Sequence, residues 1–100
     1  MKLPTTIKIG PFIYSVVESR LASMNQKLGI YNSIEQQILI AKDQHPQSLV
    51  DTLLHECLHG ITFHGDKAFK DEEVIVCSLT PWLIQLIKDN PKLIKLIQEV

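Results

Sequence analysis

The chain has 100 residues, 45% hydrophobic and 21% charged, the balance of one globular domain spanning residues 1–100 with a single modest core. Ten Lys and Arg against 11 Asp and Glu give a net charge of −1, which lacks the electrostatic footprint of a nucleic-acid partner. Apolar runs such as Ile38-Leu39-Ile40-Ala41 fall far short of the roughly 20 residues that cross a bilayer. Polar Thr5-Thr6 follow Met1-Lys2-Leu3-Pro4, where a signal peptide would continue into an apolar core. Two cysteines, Cys57 and Cys77, are too few for a disulfide scaffold. The expectation is a cytoplasmic protein with neither a membrane nor a nucleic-acid partner.

The first part of the chain favours strands. Thr5 to Ile9 alternates β-branched and polar residues, Gly10-Pro11 breaks the run, and Phe12 to Glu18 resumes it, which predicts an antiparallel hairpin. Ser19 to Leu28 reads either as a loop or as an irregular strand extension. Gly29 to Ser33 reads as a turn entering a strand over Glu35 to Ala41, with Ile38 and Ile40 on one face.

From Ser48, a credible N-cap, the period becomes helical. Leu54, Cys57, Leu58 and Ile61 follow the i, i+3, i+4, i+7 spacing of a buried stripe, and Gly65 can end the helix. Asp66 to Lys70 is a polar connection. A second helix is expected from Asp71 with Glu72, Ile75, Val76 and Leu79 on one stripe, kinked or restarted at Thr80-Pro81 with Thr80 as cap. Asn90-Pro91 repeats that grammar before Lys92 to Val100. Strands first and helices after describe an α+β fold: a small N-terminal antiparallel or mixed sheet packed on the first helix and the C-terminal helices that follow it.

His55-Glu56-Cys57-Leu58-His59 is the strongest chemical signal, an H-E-x-x-H in the most helical segment. Residues four apart stand one turn above each other, so both imidazoles leave the helix on one side. A catalytic zinc takes three protein ligands and keeps a fourth position for water, and His55 and His59 supply two of them. Glu56, on the flank of the histidine face, can accept a proton from that water as general base. Cys57 falls on the apolar stripe and reads as a structural thiol.

Glu72 and Glu73, at the start of the second helix, are candidates for the third ligand. Glu72 is favoured because it shares a stripe with Ile75, Val76 and Leu79. Both can instead serve as partners of the helix dipole. His64 is a further rival. The metzincin spacing H-E-x-x-H-x-x-G-x-x-H fails, because Thr62 stands where the glycine is required and Gly65 where the histidine is.

The run Thr52-Leu53-Leu54-His55-Glu56-Cys57-Leu58-His59-Gly60, followed by Asp71-Glu72-Glu73-Val74-Ile75, resembles the small, phage-type zinc metallopeptidases related to the gluzincin-like ImmA/IrrE proteases. Leu79-Thr80-Pro81 and Lys88-Asp89-Asn90-Pro91 extend the likeness, which covers residues 28 to 91. It implies Zn2+ held by His55, His59 and Glu72, Glu56 as general base, and a peptide or protein substrate. It also implies that the strand Glu35 to Ala41 is an edge along which the substrate lies extended. His45, His64 and Tyr31 are the candidates for stabilising an oxyanion.

The main expectation is therefore a zinc-dependent endopeptidase. The alternative is a catalytically silent, metal-stabilised protein-binding module. Leu83, Ile84, Leu86 and Ile87, then Leu93, Ile94, Leu96 and Ile97, form apolar pairs around Trp82. They are expected to cover the core. If Leu93, Leu96 and Ile97 stand exposed together, a homodimer through the C-terminal helix is indicated instead.

Overall fold

The computed structural model describes residues 2–64 and 70–99. Four strands, β1 (Thr6–Ile9), β2 (Phe12–Ser19), β3 (Gly29–Asn32) and β4 (Gln37–Ala41), precede three helices, α1 (Pro46–His64), α2 (Glu72–Asp89) and α3 (Pro91–Glu99). The fold is α+β, as the order of periodicities predicts.

The strands form one mixed sheet in the order β1-β2-β4-β3. The β1–β2 hairpin closes with Ile9 opposite Phe12. Gly10 takes φ +57 and Pro11 is held at negative φ by its ring, the order of signs that a type II′ hairpin turn requires. A short 3-10 helix at Leu21–Met24 fills the segment whose conformation the sequence leaves open, and Met24 buries there. β2 then pairs parallel with β4, and β3 pairs antiparallel with β4.

That order corrects the expected edge. The strand entering the motif helix, β4, lies inside the sheet, and the edge is Gly29–Asn32, which reads as a turn from its Gly and Asn content. Ladder pairing to Ile40 and Gln37 supplies the extended geometry that the local propensities of Gly29 and Asn32 do not.

One face of the sheet carries Tyr14, Ile38 and Ile40, all fully buried, and with Leu3, Ile9 and Leu49 they make the core. α1 covers this face through Leu49, Thr52, Glu56 and Gly60. The expected stripe is displaced from the sheet: Leu54 and Leu58 are half-buried, and Ile61 is 54% exposed. Small and polar side chains face the sheet because the helix runs close over Gly29. A Cβ there would lie 2.6 Å from Thr52 Cγ2, and one at Gly60 would lie 2.7 Å from Ile9 Cδ1.

Gln44 ties the sheet to α1. Its amide Nε2 donates to the Ala41 and Leu28 carbonyls at 2.7 and 3.2 Å, and its Oε1 accepts from Ser48 and Thr52 hydroxyls at 2.6 and 2.9 Å. Ser48 is thus an internal helix residue and no cap. The His45 carbonyl accepts the Leu49 amide at 2.9 Å, which makes His45 the capping position and Pro46 the first helical residue. Gln44→Ala is expected to cost about 2 kcal/mol, from the net worth of the lost hydrogen bonds, read as a lower urea midpoint at unchanged slope.

Gly65 and the Asp66–Phe69 part of the expected connection lie outside the described residues. α2 runs unbroken through Pro81. Thr80 is no cap there: buried, it donates its hydroxyl to the Val76 carbonyl at 2.7 Å. On α2 only Val76 and Thr80 are buried among the described residues, and Leu79 is exposed.

Of the C-terminal apolar pairs, Leu83, Ile84 and Ile94 are half-buried and the rest stand exposed. α3 turns off the end of α2 at Asn90 and buries none of its described residues, leaving Leu93, Leu96, Ile97 and Trp82 exposed. No helix among the described residues is long and apolar enough to cross a membrane.

Candidate metal centre

His55, Glu56 and His59 sit in the middle of α1, where the intrahelical bonds are continuous and side-chain directions are least free. The start of α2 brings Glu72 and Glu73 against them, and β3 brings Gly29 and Tyr31. Together these residues line a cavity of about 440 Å³.

Three side chains converge inside it. His55 Nε2 and His59 Nε2 are 3.2 Å apart, Glu73 Oε1 is 3.0 Å from the first, and Glu73 Oε2 is 3.0 Å from the second. Two imidazole nitrogens and a carboxylate are all electron-pair donors, so this closeness calls for a proton or a cation among them. A tetrahedral zinc with bonds of about 2.0–2.1 Å separates its N and O ligands by roughly 3.3 Å. The donor set and its spacing fit that ion.

Glu72 has a different place. Its Oε2 accepts from His59 Nδ1 at 2.6 Å, which puts the ring proton on Nδ1 and leaves the Nε2 lone pair facing Glu73 and His55. The Glu72 carboxyl is held below the usual range chiefly by that hydrogen bond. Sequence reasoning set Glu72 at the metal-facing position. The structure puts Glu73 against the Nε2 atoms of His55 and His59, and Glu72 against Nδ1 of His59, because the first turn of α2 straddles the His59 ring with one glutamate at each nitrogen.

The electrostatics follow from the same contacts. Burial works to lower the His59 pKa, but the Glu72 hydrogen bond and the charges of Glu73 and Glu56 outweigh it and raise the ring's basicity. For Glu73, burial acts upward, yet the Cys77 hydrogen bond and the histidine charges prevail and lower the carboxyl. Glu56 is buried against Gly29, and this desolvation raises its pKa against the opposing pull of His55 and His59. Cys57 packs on the core as expected of a structural thiol, and burial pushes it up to about 11.

The other candidates separate. Tyr31 lines the cavity. His64 turns to the sheet, where its Nε2 meets the Tyr14 hydroxyl at 2.6 Å and its ring stacks on Phe12 at 4.6 Å. Tyr14 also shares a 2.6 Å hydrogen bond with the Tyr31 hydroxyl. His45 caps α1 ten residues before His55, about 15 Å along the helix axis.

Two residues escaped the sequence reading. Gly29 is one: a Cβ there would stand 2.9 Å from Glu56 Oε2. Nothing local marks it, because the crowding comes from a helix 27 residues later. Cys77 is the other. It stands four residues after Glu73, the same spacing as His55 to His59, so a signal existed. Gly29→Ala is expected to cost about 1–3 kcal/mol through overpacking, and to displace the Glu56 carboxylate. Comparison of urea midpoints with that of Gly10→Ala, where no atom lies within 4 Å of the added Cβ, separates crowding from backbone strain.

No protein-family model, curated protein or solved structure matches this chain.

Proposed function

We propose that the chain is a minimal zinc-dependent endopeptidase, with His55, His59 and Glu73 as metal ligands, Glu72 orienting His59, and Glu56 as general base. The observation that carries this reading is the meeting of two Nε2 atoms and one carboxylate at 3.0–3.2 Å, on an H-E-x-x-H helix. When bound, zinc supplies a Lewis acid that acidifies water and polarises a carbonyl oxygen. Glu56 takes the proton from the attacking water and passes it to the departing amine nitrogen as the C–N bond breaks. Its raised pKa suits both transfers. Tyr31, a phenol whose pKa burial and the Tyr14 hydrogen bond raise, stays protonated and is our choice of oxyanion donor.

The substrate is a peptide lying extended beside β3. Support comes from the position of β3 at the sheet edge, next to the cavity. The resemblance to phage-type zincins related to the ImmA/IrrE proteases belongs to this proposal, as does a cytoplasmic site of action in a bacterial or phage-infected host cell. Elemental analysis of untagged protein, paired with a casein digest with and without chelator, tests it. About one zinc per chain and chelator-sensitive cleavage are expected. Protein that takes up no zinc when it is added back overturns the reading.

The exposed row of α2 and α3 favours a second reading, a metal-stabilised module that pairs with a second copy of itself. Trp82 is 72% exposed, and Leu93, Leu96 and Ile97 stand on a helix with no described residue buried. Zinc without cleavage, together with sedimentation as a dimer that Leu96→Asp dissociates, would select it.

A further inference from the structure

Helix α2 carries another ligand-type side chain one turn beyond Glu73. Cys77 lies four residues on, so the pair shares a face of α2 as His55 and His59 share a face of α1. The Cys77 thiol donates to Glu73 Oε1 at 3.3 Å. One ligand atom each from His55, Glu73 and Cys77 lie within 4.8 Å of one another. The i, i+4 pair of α2 thus brings a carboxylate and a sulfur to His55, whose Nε2 is itself 3.2 Å from that of His59.

We propose that Cys77 is a fourth protein ligand of this centre, its thiolate closing the position that an open catalytic site leaves to solvent. The inference rests on the reading of His55, His59 and Glu73 as metal ligands. Zinc–sulfur bonds of about 2.3 Å beside zinc–oxygen bonds of about 2.0–2.1 Å separate the two ligands by roughly 3.5 Å, close to the distance seen. On closure the S–H bond breaks, its proton passes to solvent by way of Glu73 Oε1, a sulfur–metal bond forms, and one water molecule leaves. No electron changes hands, so no oxidant or reductant is required.

The consequence is regulatory. Four protein ligands make a closed, structural site, and three with one position left over make a catalytic one. With Cys77 bound, the metal would pin the start of α2 to α1, and hydrolysis by the wild type would wait on release of the thiolate. Cys77 is exposed, so its side chain can swing to solvent and open the site. Cys57 has no such freedom, being packed against the core.

Cobalt(II) absorption of the full chain tests this. The wild type is expected to show the visible bands of tetrahedral cobalt together with an intense near-ultraviolet thiolate-to-cobalt band. Cys57→Ser, whose single thiol is Cys77, keeps both. Cys77→Ser keeps the visible bands and one cobalt per chain, loses the near-ultraviolet band, and binds cobalt at least about tenfold more weakly. Visible bands with no near-ultraviolet band in the wild type or in Cys57→Ser overturn the role of Cys77 and leave the three-ligand reading standing. A near-ultraviolet band that survives Cys77→Ser does the same. Failure of the wild type to take up cobalt overturns both. The wild-type and Cys57→Ser spectra decide even if Cys77→Ser does not fold.

Discussion

Glu56→Gln is expected to retain one zinc per chain and to lose about 10²–10⁴-fold in peptide hydrolysis, the usual contribution of a positioned general base. The substitution keeps the shape of the side chain against Gly29 and removes only the capacity to hold a proton. Zinc content and cleavage rate measured on the same preparation check it, and full activity would remove Glu56 from the mechanism. Its titration adds a second readout in the metal-free protein. Burial raises the folded-state pKa of Glu56 above its unfolded value, so the folded state binds the proton more tightly than the unfolded one. At pH below the unfolded value both states are protonated and no penalty exists. Above the raised folded value the carboxylate is ionised at a cost to stability. Metal-free Glu56→Gln is therefore expected to be more stable than the wild type at pH 7 and to lose that advantage as pH falls towards 4. Urea midpoints across that range measure it, and an advantage that does not change with pH would mean that burial does not strain the carboxylate.

Glu73→Ala and Glu72→Ala are expected to separate, although the two residues are neighbours. Removing Glu73 takes away the carboxylate that meets both Nε2 atoms, and zinc is expected to be lost on dialysis. Removing Glu72 leaves those atoms in place and frees the His59 ring, for which roughly 10–100-fold weaker binding is expected. Competition with a chelator of known affinity resolves the two cases. Zinc lost only in Glu72→Ala would reverse the assignment and make Glu72 the ligand. Since metal binding to a small site is folding free energy, Glu73→Ala should also melt at the temperature of the metal-free wild type.

The course of the chain was legible wherever a local rule decides it. Gly10-Pro11 sets a hairpin through backbone dihedrals alone, Asn90-Pro91 ends one helix and starts another, and a 3.6-residue period marks α1. The four-residue spacing of His55 and His59 places both rings on one side of that helix, whatever the rest of the chain does. Thr80-Pro81 shows the limit of such rules. A proline signal argues for a break, yet α2 continues, with Thr80 held by the Val76 carbonyl.

What required the tertiary structure is what depends on how elements approach each other. β3 is an edge strand because β4 pairs with β2 on its other side, a choice between partners that no window of residues contains. Glu56 is buried because Gly29 lets α1 come down on the sheet, so two residues 27 positions apart fix its environment jointly. Glu72 and Glu73 differ by about 100° around α2, and only the placement of that helix over His59 decides which meets the two Nε2 atoms. Local sequence determines which side chains share a face. The contact between faces, set to within a few tenths of an ångström by packing, determines which of them can act together.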